Sequence, residues 1–141
     1  MYSIKHLFHI DSPRAQIFEA IDTIKGLSEW WTNQTSGETT VGGEIIFRFG
    51  EHTGFKMRVT QKTQNESIAW ECVGGPPDWV GTKLSFQLDE NEGKTRIRFA
   101  HDGWQKQDDF YGACSFSWGN YMSSLRKLCQ DGKGEPFGSR A

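Results

Sequence analysis

The sequence predicts an α+β fold in which a curved antiparallel sheet of six strands wraps around one long C-terminal helix, with two short helices after the first strand. Three observations lead there. Successive runs alternate polar and apolar residues between turn-forming glycines, asparagines and prolines, so one sheet face is wet and the other dry. The stretch after Gln107 is the only segment long enough to cover the dry face, and its apolar residues recur at helical spacing. No Pro-, Gly- or Ser-rich linker divides the 141 residues, a length suited to one domain.

Each element has its own warrant. Tyr2, Ile4, His6, Phe8 and Ile10 alternate with Ser3, Lys5, Leu7 and His9, which gives the first strand two differently used faces. "DSPRAQIFEAID" predicts a short helix, with Ser12 as N-cap, Pro13 at the first helical position and Ile17, Phe18 and Ile21 as its apolar stripe. Thr23 is placed to cap a second helix through "IKGLSEWW", in which Gly26 costs about 1 kcal/mol relative to alanine. The polar, glycine-rich "TNQTSGETTVGG" predicts a loop.

Five further strands are expected at residues 44–49, 55–62, 67–73, 82–88 and 95–101. Lys56, Arg58 and Thr60 oppose Phe55, Met57 and Val59, and the last run sets Lys94, Arg96 and Arg98 against Thr95, Ile97 and Phe99. The closing helix carries Phe110, Cys114, Trp118, Tyr121, Leu125 and Leu128 at spacings of three and four. Asp108 and Asp109 suit its N-terminus, Arg126 and Lys127 its C-terminus, and Gly132 its stop. Residues 1–132 are thus expected to form one domain, and residues 133–141 a tail from which at most Phe137 packs back.

Composition narrows the function. The net charge is -2 with Lys and Arg scattered, so no nucleic-acid footprint is expected. Cys72, Cys114 and Cys129 form no C-x-x-C pair and leave one over in any disulfide scheme, which suits a reduced, cytoplasmic chain. "MYSIKHLFHI" fits neither a signal peptide nor a spanning helix, so no membrane insertion is expected. His6, His9, His52 and His101 show no ligand spacing, so neither a metal nor another cofactor is expected.

The candidate site follows from bulk. Phe47, Phe49, Met57, Trp70, Phe86 and Phe99 are large inward positions on the strands. The facing helix is thin at Gly112, Ala113 and Ser115. A wide sheet against a thin helix leaves a mostly apolar pocket, while the alternative is that large and small residues simply interdigitate. Phe110, Cys114 and Trp118 line the helical side of that expected pocket, and Trp31 and Trp104 stand at chain transitions as rim or seal. His101 continues the inward series and is either a ligand contact or a rim histidine satisfied by water or backbone. No residue is assigned a catalytic role: Cys114 has no base beside it, and Asp108 and Asp109 already serve the helix.

In the order β-α-α-β5-α, the chain resembles the START-like, or SRPBCC, superfamily with its helix-grip fold, also called Bet v 1-like. More narrowly it is similar to the branch containing the C-terminal domain of the activator of the heat-shock chaperone ATPase. The resemblance runs through "SPRAQIFEAI", the "EWW" pair, "VGGEIIFRF", "GTKLSFQL", "KTRIRFAHDGW" and "SWGNYMSSLRKLC" with "GKGEPF". It implies a cavity between long helix and sheet, used in relatives for lipids, sterols, polyketides or other hydrophobic molecules. Fold does not choose an activity. The first expectation is a non-enzymatic module binding a small hydrophobic or aromatic molecule. The alternatives are a cyclase- or hydrolase-type enzyme using His101, Asp102 or Tyr121, and a chaperone-interacting regulator. The last is less expected because those regulators add an N-terminal domain for which 141 residues leave no room. Homodimer formation is left open.

Overall fold

Alternation and turn chemistry build a single sheet. The computed structural model describes residues 1–139. Its elements run β1 (Tyr2–Ile10), α1 (Arg14–Asp22), α2 (Ile24–Trp30), β2 (Gln34–Gly37), β3 (Glu44–Phe49), β4 (His52–Thr63), β5 (Ser67–Gly74), β6 (Lys83–Asn91), β7 (Lys94–Trp104) and α3 (Asp109–Asp131). The strands pair antiparallel in the order β1-β7-β6-β5-β4-β3-β2. Along β7 the inward Thr95, Ile97, Phe99 and His101 are all buried. Register shifts between Phe47 and Phe49 and between Val59 and Gln61 interrupt the ladders and bend the strands locally, as bulges do.

Among the described residues the sheet has seven strands where six are expected. The extra one, β2, lies inside the stretch predicted as a loop and pairs Gln34 with Arg48 through Gly37 with Ile45. It is a polar edge strand of four residues, so it carries no alternation; backbone pairing with β3 defines it. Thr32 anchors its entrance by donating to the Arg48 carbonyl at 2.6 Å.

Helix ends follow capping rules with one shift. Pro13, not Ser12, is the N-cap of α1, and it has no side-chain oxygen to offer. Ser12 instead donates its hydroxyl to Gln16 at 2.7 Å, while its carbonyl accepts from Thr95 Oγ1 at 2.7 Å, tying α1 to β7. Thr23 caps α2 by accepting from the Gly26 amide at 2.9 Å. Asp108 caps α3 through the Tyr111 amide at 3.1 Å, and Gly132 ends it at φ 83°.

Gly26 has a steric reason to be there. A Cβ at this position would stand 2.5 Å from the Ala20 carbonyl oxygen, because α2 crosses the end of α1 backbone to backbone. We expect Gly26→Ala to lower stability by about 2 kcal/mol or more through that clash. Gly112→Ala on the open face of α3, with nothing within 4 Å, should instead gain up to about 1 kcal/mol of helix propensity. Urea denaturation of both variants checks the contrast, and a neutral Gly26→Ala would remove the close-approach argument.

The core lies between the concave sheet and the three helices. Trp30, Trp31, Trp70 and Trp104 are among its largest buried side chains, and α3 contributes Trp118, Met122, Leu125 and Cys129. The C-terminal segment is bound to this core. Ser124 donates to the Trp30 carbonyl at 2.8 Å and accepts from the Glu135 amide at 2.7 Å. The Phe137 amide donates to the Trp31 carbonyl at 2.8 Å, and Phe137 bridges Thr32. Residues 134–138 thus form a strap along α3; the expected tail also includes Arg140 and Ala141, which lie outside the described residues.

Candidate functional site

Where the strap, the β3–β4 hairpin and the first half of α3 meet, the sheet does not close on the helix. A cleft of about 450 Å³ remains. Its helical wall is Phe110, Cys114, Ser117, Trp118 and Tyr121, which share one side of α3 at steps of three, four and one. Phe49 and Phe55 come from the hairpin, Pro76 and Trp79 from the diproline turn, Trp31 from the end of α2, and Phe137 from the strap. His52 completes the lining at the hairpin tip.

The rings hold one another in place. Phe55 stacks on Trp79 with centroids 3.9 Å apart and planes at 15°. Trp31 sits between Phe47 at 4.1 Å and Trp118 at 4.9 Å, and lies parallel to Trp70. Phe49 contacts Phe55 at 5.5 Å and Phe137 at 5.4 Å. Such offset and edge contacts each add roughly 0.5–1.5 kcal/mol beyond burial, so the wall is stiff before anything enters.

Behind the wall runs a chain of hydrogen bonds. Trp118 donates from Nε1 to His101 Nδ1 at 3.1 Å, which leaves the histidine proton on Nε2. Nε2 donates to Thr82 Oγ1 at 2.8 Å, and the Thr82 hydroxyl donates to the Trp79 carbonyl at 2.5 Å. The Trp118 ring and the Trp79 backbone are thereby tied to one buried imidazole. Burial alone drives the His101 pKa down to about 3, so the ring stays neutral and its acceptor nitrogen stays available to Trp118.

The structure sorts the expected site residues into two groups. Trp31, Phe49, Phe110, Cys114 and Trp118 border the cleft. Phe47, Met57, Trp70, Phe86 and Phe99 lie fully packed beneath it, as do Trp104 and His101. His101 is neither at a rim nor satisfied by water, since β7 carries it inward to 0% exposure. With both nitrogens engaged it offers no base to a molecule in the cleft. Asp102 points the other way, accepting from Ser3 Oγ at 2.5 Å on the exposed side of β7.

The thin positions need correction. Gly112 and Ala113 face solvent, because about 100° per residue turns Gly112 roughly 200° from Phe110. The cleft lies between the hairpin rings Phe49 and Phe55 and the helical wall, and none of Gly112, Ala113 and Ser115 lines it. The lining also includes His52, Phe55, Pro76, Trp79, Ser117 and Phe137, which the sequence does not mark as pocket residues, and Tyr121, expected only as a polar group of the enzymatic alternative; the signal for the helical wall is the i, i+4, i+7, i+8, i+11 series from Phe110. Cys114 and Tyr121 both have their pKa raised by burial, so thiol and phenol remain protonated. Among the described residues no group of three or more His, Cys, Asp or Glu is placed to hold a metal ion. No helix there is long and apolar enough to cross a membrane.

Comparison with known proteins agrees with this architecture. The family model described as Activator of Hsp90 ATPase homolog 1-like protein matches residues 11–130. The solution structure of the Aha1 dimer from Colwellia psychrerythraea is 37% identical, with a TM-score of 0.88, covering 95% of this chain and 100% of that one. Protein SSP2350 from Staphylococcus saprophyticus is 20% identical with a TM-score of 0.79, covering 96% and 97%. DynU16, from the dynemicin biosynthetic locus, is 15% identical with a TM-score of 0.75, covering 94% of this chain and 48% of its own. The last two show the fold alone. No curated protein matches the sequence.

Proposed function

The chain belongs to the Activator of Hsp90 ATPase homolog 1-like family, and on that premise we propose that it binds a small hydrophobic or aromatic molecule in the cleft beside α3. The observation that carries this is the ring-walled space of about 450 Å³, open to solvent between Phe110 and the hairpin. A wall held rigid by stacking and by the His101 hydrogen bonds is organised before binding, which spares a ligand the cost of ordering it. A two-ring aromatic buries about 150–250 Å², worth about 4–6 kcal/mol at about 25 cal/mol per Å². Affinities of high micromolar order are expected for so small a body.

Trp31, Trp79 and Trp118 report directly on occupancy. Titration with aromatic, sterol and fatty-acid panels should give saturable quenching or blue shift of tryptophan fluorescence with at least the aromatic class. A linear, unsaturating response to every class would sink the proposal. The Colwellia relative is described as a dimer, and we extend that state to this chain. Light scattering should then read twice 16.1 kDa, and a mass of 16.1 kDa at all concentrations would count against it.

A further inference from the structure

We propose that the occupant is amphipathic: an apolar ring body in the aromatic cleft, carrying an uncharged, hydroxyl-rich arm that lies in a second groove along α3. This rests on the cleft reading above and extends it.

The second groove, about 540 Å³, runs between α3 and the strap. It is continuous with the cleft, since Ser117, Tyr121 and Phe137 line both. Its chemistry is different. Ser117, Asn120, Tyr121 and Ser123 follow one another along the helix, and among the described residues none of their hydroxyl or amide groups has a hydrogen-bond partner. Ser124, by contrast, spends its hydroxyl on Trp30 and the Glu135 amide, so it builds the wall. The strap is held close by backbone: a Cβ on Gly134 would stand 2.4 Å from the Glu29 carbonyl oxygen.

Charge decides what kind of polar arm fits. Lys127 is paired with Glu135 across the groove, and the remaining lining residues are neutral. No net charge is left to select a sulfate, phosphate or carboxylate. What remains is a row of neutral donors and acceptors, which suits hydroxyl groups. Tyr121 stands at the junction, half-buried, with its ring against Trp31 at 6.5 Å and burial keeping its phenol protonated as a donor. A purely apolar chain laid in this groove would desolvate these groups without replacing their water.

Calorimetric titration of the full chain with 2-naphthol, 2-naphthyl β-D-glucoside and 2-naphthyl sulfate tests the idea. The naphthyl body is common to all three, so only the arm varies. The glucoside is expected to bind about tenfold tighter than naphthol, the equivalent of one or two net hydrogen bonds. Ser123→Trp, which fills the groove, should abolish that advantage and leave naphthol affinity unchanged. Asn120→Ala should reduce the advantage if the bulky variant disturbs folding. Equal affinity for naphthol and glucoside in the native chain overturns the arm while leaving the cleft reading intact. Tighter binding of the sulfate than of the glucoside overturns the uncharged arm. Failure of all three to saturate removes the cleft reading itself and the arm with it.

Discussion

Replacing His101 by alanine is expected to lower the stability of the folded chain by about 3–4 kcal/mol. The variant strips the acceptor from the buried Trp118 indole N–H and the donor from Thr82, and each stranded group costs about 1–3 kcal/mol. It also opens a cavity under Trp79 and Trp118, whose rings lie 4.5 and 6.1 Å from the imidazole. His101→Gln keeps one acceptor and one donor on a comparable frame and should lose about half as much. Acid makes the same residue visible. The folded pKa of about 3 lies below the unfolded value of 6.5, so the unfolded state binds the proton first. Stability from this group is complete above pH 6.5 and is lost as pH falls toward 3, roughly 2 kcal/mol by pH 5 at about 1.36 kcal/mol per pH unit. Asp89, held at about 2 by its hydrogen bond to Arg96, gives up its contribution only in stronger acid. Urea midpoints at pH 7 and pH 5 therefore separate the effects. The native chain should weaken between them by more than His101→Gln does, and parallel behaviour of the two would remove His101 as the buried neutral group.

Most of the fold could be read from residue order because its signals are local. Lys56, Arg58 and Thr60 against Phe55, Met57 and Val59 specify a strand and its inward face within a handful of residues. Asp108 and Gly132 mark the ends of α3 by side-chain and backbone chemistry that needs no partner from elsewhere. The edge strand β2 escaped because only pairing with β3 makes it a strand. The cleft was harder for a related reason. Phe47 and Phe49 share one face of β3, yet Phe47 is sealed under Trp31 while Phe49 opens onto solvent. Alternation treats the two alike; the bulge between them does not. Gly112 and Ala113 misled in the opposite sense, since small residues suggested space where helical direction put solvent. The Trp118–His101–Thr82 chain joins residues 17 and 19 positions apart and has no periodic signature at all. What a pattern reports is which side of an element is dry, and a binding site depends on whether the dry sides actually meet.

That distinction makes Cys114 the position from which to test where binding occurs. Cys114→Trp should weaken binding of a two-ring aromatic at least tenfold while changing stability by less than about 1 kcal/mol. The side chain is half-buried in the helical wall, and an indole there projects into space that is already open. Filling open space lacks the strain of overpacking a closed core, so affinity and stability part company. Gly112→Trp is the matched control: the same indole on the same helix, two residues away, facing solvent with nothing within 4 Å. It should leave the titration curve unchanged. Trp118→Phe probes the wall from behind, since it keeps the ring surface but abandons the hydrogen bond to His101 Nδ1. We expect it to loosen binding modestly and to destabilise by about 1–2 kcal/mol, because the indole's fixed orientation is lost. If Cys114→Trp and Gly112→Trp weakened binding equally, the molecule would have to sit on the outer face of α3, and the ring-lined cleft would revert to an imperfectly closed core.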